Sequence, residues 1–256
     1  MVRGLDLFIS HFKGMEDNYV LIGGCACDLW MNEQNLPFRV TKDIDMVIIV
    51  EVLHPDFARS FWDFISKGNY QSLKQSAGKP KFYRFKKPAE RKYPEMIELL
   101  SRNLLNLPKG MHLTPIPVDD DISSLSAILL DEDYYMLVCE SKLIINGAPT
   151  LPPHCLIPLK ARAYLDLKKR KKNGDAKIKD ADIKKHRNDV FRLLSTMAPA
   201  DHHILPGKIV PDLKEFADSL PPDSDDWESI RKSVNDKTFP GPEVSIQRIK
   251  DIFNLK

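Results

Sequence analysis

The spacing of apolar positions changes along the chain, and the change falls near Pro153. In "GLDLFISHFKG" the residues Leu5, Phe8, Ile9 and Phe12 repeat at helical spacing and stop at Gly14, which predicts a first helix. "NYVLI" then reads as a short buried strand, and "CACDLWMNE" as a helix entered from Gly23 and Gly24. "DIDMVIIV" predicts a second buried strand, "PDFARSFWDFISKG" a helix, and "YQSLK", "KFYRF" and "MIELL" further strands. "SSLSAILL" reads as a helix capped by Asp119 to Asp121, and "NGAP" as a hairpin turn. Beyond Pro153, "CLIPLKARAYLDLKKRKK" and "ADIKKHRNDVFRLLSTM" carry stripes of period about 3.6, joined by the basic loop "KKNGDAKIK". "PPDSDDWES" reads as a polar connector before weaker terminal helices. The pattern predicts an α+β chain: a mixed α/β part over 1–152 and a helical part over 153–256.

Composition narrows the classes. With 256 residues and 43% hydrophobic content, the chain can build one sizeable core or two modest domains. The formal charge of +2 announces neither a nucleic-acid nor a membrane partner, so any basic site must be local. Cys25, Cys27, Cys139 and Cys155 are too scattered for a zinc framework and read as reduced thiols. His112, His154, His202 and His203 lack zinc spacing with any cysteine. No signal sequence opens the chain, and apolar runs such as "MVIIV" fall far short of the roughly 20 residues of a membrane span. A soluble cytoplasmic protein with no membrane partner is the expectation.

The candidate chemistry begins with charge in an apolar strand. Residues two apart share a strand face, so Asp43 and Asp45 project together, roughly 6–7 Å apart. Like charges at that spacing repel unless water or a cation lies between them. Mg²⁺ takes one or two carboxylates and completes its shell with phosphate oxygens and water, so the pair suggests nucleotide chemistry. The alternative is a polar strand mouth with each aspartate capping a loop. Gly23 and Gly24 turn into a helix N-terminus, whose free N–H groups favour a phosphate; a plain tight turn is the alternative. Glu98 lies in an apolar strand on the face of Met96 and Leu100, where an unpaired carboxylate is costly. It is either a third site acid or an ion-pair partner of an arginine such as Arg102.

Together, the GG turn, "RVTKDIDMVI" and a later strand acid resemble the nucleotidyltransferase superfamily with the polymerase-beta-like fold. Arg39 and Thr41 fit the RxTxDxD form of one branch, the AbiE-type (AbiEii-like) nucleotidyltransferase toxins of type IV toxin-antitoxin systems and their stand-alone bacterial relatives. The resemblance spans roughly residues 18–195. It implies a mixed sheet with flanking helices followed by a helical C-terminal domain. It also implies that Gly23, Gly24, Arg39 and Thr41 hold a nucleoside triphosphate, and that Asp43, Asp45 and Glu98 hold Mg²⁺ or Mn²⁺ and activate an acceptor hydroxyl.

In the helical half, patterns resembling KxxA and RDxxD point to Lys160 and Asp189 as further catalytic residues, with Lys160 also binding triphosphate. Lys160 lies on the apolar stripe of Leu156, Ala163, Tyr164 and Leu167; the alternative is a lysine snorkelling at the stripe's border. His186 stands where RDxxD has its first acid, and Asp182 competes with Asp189. The implied activity moves an NMP from an NTP to a hydroxyl acceptor with release of pyrophosphate. The resemblance implies RNA as the acceptor, with tRNA 3′ ends leading, and a toxin or phage-defence role with a cognate antitoxin as partner. A small-molecule acceptor, or a silent nucleic-acid- or protein-binding module of the same fold, are the alternatives. "KKRKK", Lys168 to Lys172, could neutralise an RNA backbone or simply be a solvated helix end.

Overall fold

The computed structural model describes residues 2–72, 82–100 and 131–255. The chain divides into two compact units, one of residues 1–130 and 138–152, the other of residues 131–137 and 153–256. The predicted capped helix over "SSLSAILL", Asp119 to Asp121, His112 and Arg102 lie outside the described residues.

The first unit opens with helix α1 (Leu5–His11) and strand β1 (Tyr19–Ile22), which runs directly into α2 (Gly23–Glu33). Strand β2 (Asp43–Ile48) follows, then α3 (Pro55–Gly68), β3 (Gln71–Ser72), β4 (Phe82–Lys86) and β5 (Met96–Leu100). The five strands form one mixed sheet in the order β1-β2-β5-β4-β3. Among the described strands of this sheet, β2–β5 pair in parallel, and β1–β2, β3–β4 and β4–β5 are antiparallel.

Strand alternation decides what each sheet face carries. Leu21, Ile44, Met46, Ile48, Phe85, Ile97 and Leu99 enter one core with the aromatic residues of α1 and α3. There Phe8 meets Phe64 edge to face at 5.5 Å, and Phe12 lies 5.4 Å from Phe57. The intervening positions, Asp43 and Asp45 on β2, Arg84 on β4 and Glu98 on β5, therefore share the opposite face. The unit closes with the hairpin β6 (Leu143–Ile145) and β7 (Ala148–Thr150). Its Asn146 and Gly147 both take positive φ, 50° and 81°, as a two-residue hairpin turn requires.

Helix α4 (Glu132–Glu140) gives its start to the second unit, which continues with α5 (Pro153–Lys172) and α6 (Asp180–Leu194). Helices α7 (Ile209–Asp218), α8 (Asp226–Val234) and α9 (Pro242–Ile252) complete it. α5 packs on α6 and α7, and α6 on α8. The core is built from Leu156, Leu159, Tyr164, Val190, Phe191 and Phe216, all buried. Tyr134 donates to Asp212 at 2.9 Å, and Arg162 to the same carboxylate at 2.7 Å, tying the 131–137 segment to α5 and α7.

Two elements depart from the sequence expectation. α8 starts inside "PPDSDDWES", read as a connector, because Trp227 is buried and its indole N–H donates to the Pro221 carbonyl at 2.9 Å. α4 was not anticipated; its first turn is tied by the Asp131 carboxylate, which accepts from the Asp133 N–H at 3.0 Å, and it buries Tyr134, Tyr135 and Val138. Among the described residues, no helix is long and apolar enough to cross a membrane.

Candidate active site

Backbone geometry where β1 becomes α2 creates the site. Ile22 is extended, and Gly23 opens the helix at φ 68°, a left-handed conformation that glycine adopts at little cost. The Asp45 carboxylate also fills the space a side chain at Gly23 would need: an added Cβ would lie 1.9 Å from Asp45 Oδ2. At Gly24 an added Cβ would come within 2.5 Å of Thr41 Oγ1 and 3.4 Å of an Arg39 guanidinium nitrogen. The two glycines thus let three side chains approach the first turn of α2: Asp45 at Gly23, and Thr41 and Arg39 at Gly24. Arg39 also lies over the Phe38 ring at 5.2 Å.

Register completes the acid face. Asp45 pairs with Ile22 on one side and with Glu98 on the other, and Asp43 lies one step along the same face. Asp43 and Asp45 are half-buried, and Glu98 is buried. Glu98 is not left uncompensated: Arg84, its register partner on β4, donates its Nε–H to Glu98 Oε1, with both side chains under 10% exposed, at 8% and 5%. The sequence suggested Arg102 as such a partner. Arg84 is the arginine that takes the place, and its alternation within "KFYRF", opposite Phe85, was the available signal.

Cys25, in the first turn of α2, is fully buried, and its thiol is pushed well above the usual range by burial first and by the charges of Asp45 and Asp28 next. It stays a thiol within the hydrophobic core. Although Asp43, Asp45 and Glu98 share a face, no three His, Cys, Asp or Glu among the described residues form a group able to hold a metal by themselves. The donor set suits Mg²⁺ or Mn²⁺ on one or two carboxylates, with phosphate oxygens and water supplying the rest.

In the second unit, Lys160 and Asp189 come together as a buried ion pair at 3.2 Å, with side chains 2% and 0% exposed. Lys160 does not snorkel. Asp189 also accepts from Arg192 at 2.8 Å, so two cations share its carboxylate. Asp182, the competing acid, is half-exposed in the first turn of α6 and pairs with Lys185 at 3.0 Å.

The basic run is partly offset by neighbouring acids. Arg170 binds Asp175 at 2.8 Å, Lys171 pairs with Asp180, and Lys168 donates to the Tyr164 hydroxyl at 3.1 Å. His154 and His203 stack face to face at 4.0 Å, with 8° between their planes.

No protein-family model matches the chain, and no curated protein does. Among solved structures, the chain is similar to an antigenic nucleotidyltransferase-like protein from Paracoccidioides brasiliensis. The two are 16% identical, the match covers 98% of this chain and 95% of that one, and the TM-score is 0.42. A likeness at that level carries no argument about this chain's activity.

Proposed function

We propose that the chain is a divalent-metal-dependent nucleotidyltransferase of the polymerase-beta-like superfamily, moving an NMP from an NTP to a hydroxyl acceptor. The observation that supports it most is the contact of the Asp45 carboxylate with Gly23 at the start of an 11-residue helix, with Asp43 on the same strand face. A helix N-terminus attracts phosphate and the acids attract a cation, so the two together suit a metal-bound triphosphate.

The first-turn N–H groups of α2 would bind phosphate oxygens, which the absence of a side chain at Gly24 lets approach closely. Arg39 would add a positive charge and Thr41 a hydroxyl beside that turn. Asp43 and Asp45 would hold Mg²⁺, which supplies charge neutralisation to the phosphate oxygens. In the transfer, the acceptor oxygen bonds to the α-phosphorus, the bond from the α-phosphorus to the bridging oxygen breaks, pyrophosphate leaves and the acceptor proton passes to water. Catalysis of this kind rests on positioning and charge rather than on a covalent intermediate with the protein.

The acceptor we propose is RNA, with tRNA 3′ ends as the leading case. The concentration of lysines from Lys168 to Lys185 supports this choice, because backbone phosphates are bound by such charge. Incubation with Mg²⁺, each α-labelled NTP and total RNA is expected to move label into RNA. Label appearing only on added small hydroxylated molecules would overturn the RNA acceptor, and absence of pyrophosphate release with every NTP and acceptor would overturn the transferase reading.

A further inference from the structure

The acid face carries a cation of its own. Glu98 stands beside Asp45 in the β2–β5 register, and Arg84 stands beside Glu98 in the β4–β5 register, so the row across the sheet reads Asp45, Glu98, Arg84. The Arg84 guanidinium donates to Glu98 Oε1 where both side chains are nearly closed to water. At such burial the pairing is only weakly screened by solvent.

We infer that Arg84 is a positioning residue that occupies Glu98 and offsets its charge, so that Asp43 and Asp45 bind the divalent cation and Glu98 supplies neither a ligand nor net charge. This inference rests on the transferase reading above. In this arrangement the Arg84–Glu98 pair forms a neutral wall at the side of Asp45. Loss of Arg84 would turn Glu98 into a third carboxylate, one strand spacing from Asp45.

Mn²⁺ titration of the full chain, read by the loss of the free-ion electron paramagnetic resonance signal, tests this without requiring turnover. Arg84→Met is expected to bind Mn²⁺ about tenfold more tightly than the unaltered chain, because a third carboxylate becomes available to it. That variant leaves a buried charge unpaired and could fail to fold, so the Arg84→Met/Glu98→Gln double variant is measured with it. Replacing both partners of a buried pair is often close to neutral for folding.

The double variant is expected to bind Mn²⁺ within about threefold of the unaltered chain, whereas Asp45→Asn weakens binding by about tenfold or more. If the double variant loses as much as Asp45→Asn, Glu98 is a ligand and the inference is overturned. A folded Arg84→Met variant that binds no more tightly than the unaltered chain would overturn it as well. If the unaltered chain binds no Mn²⁺, or binds it regardless of Asp45→Asn, the transferase reading fails instead.

Discussion

At the residue scale, the site depends on two hydrogen atoms where every other amino acid has a carbon. Gly24→Ala places a methyl 2.5 Å from Thr41 Oγ1, so Thr41, and Arg39 with it, must move. Nucleotidyl transfer is expected to fall by about 10- to 100-fold in kcat/KM, since small displacements of positioning groups have effects of that size. Circular dichroism should show the fold retained, because φ at Gly24 is ordinary. Gly23→Ala is the harsher change, adding a strained φ of 68° to the overlap with Asp45, and it is expected to lower the unfolding midpoint as well as activity. That Asp43 and Asp45 share a face was legible because strand alternation is a local rule. The partnership of Glu98 with Arg84 was not, because it depends on which strand lies beside β5 and in what register, and the chain settles that over 14 residues of sequence separation.

At the scale of elements, Lys160 and Asp189 join α5 to α6 through charges closed to water. Removing Asp189 leaves Lys160 buried and uncompensated, whereas removing Lys160 leaves Asp189 still paired with Arg192. Asp189→Leu is therefore expected to destabilise the protein by about 3–5 kcal/mol in urea unfolding and Lys160→Met by less, and adding Lys160→Met to Asp189→Leu should recover part of that loss. If each single change costs under 1 kcal/mol, the pair is not closed to water as described. The stripe position of Lys160 was readable from helical spacing; its partner was not, since an ion pair between helices depends on how they pack.

A second device at this scale responds to pH. Burial, and then the neighbouring His203 ring, lowers the His154 pKa from the ordinary 6.5 to about 4, with the Asp201 carboxylate opposing. Between those values the unfolded chain binds a proton that the folded chain does not. Stability is therefore present above pH 6.5 and is lost as pH falls toward 4. Urea midpoints measured across that range should fall on acidification, and His154→Phe should flatten the fall.

At the scale of the whole molecule, the near-neutral balance of charge hides a basic stretch. Local ion pairs engage Arg170, Lys171 and Lys185, while Lys169 and Lys172 add further charge at the end of α5. A Lys169→Glu/Lys172→Glu variant is expected to weaken RNA binding and to reduce the slope of log affinity against log salt by about 1.4, two phosphate contacts on a single strand. The change from mixed α/β to helical structure at Pro153 was visible in the hydrophobic period. The assignment of residues 131–137 to the helical unit was not, because it rests on Tyr134 and Arg162 meeting on Asp212, 78 and 50 residues away.

The most direct test is transfer of label from an α-labelled NTP in the presence of Mg²⁺ and RNA, by the unaltered chain and by Asp45→Asn. Asp45→Asn keeps the size of the side chain facing Gly23 and removes its charge. Mg²⁺-dependent transfer by the unaltered chain, reduced at least 100-fold in a folded Asp45→Asn variant, is the expected result. Transfer that persists in Asp45→Asn, or that proceeds equally in excess chelator, would show that this acid and the cation it is proposed to hold do not carry the reaction.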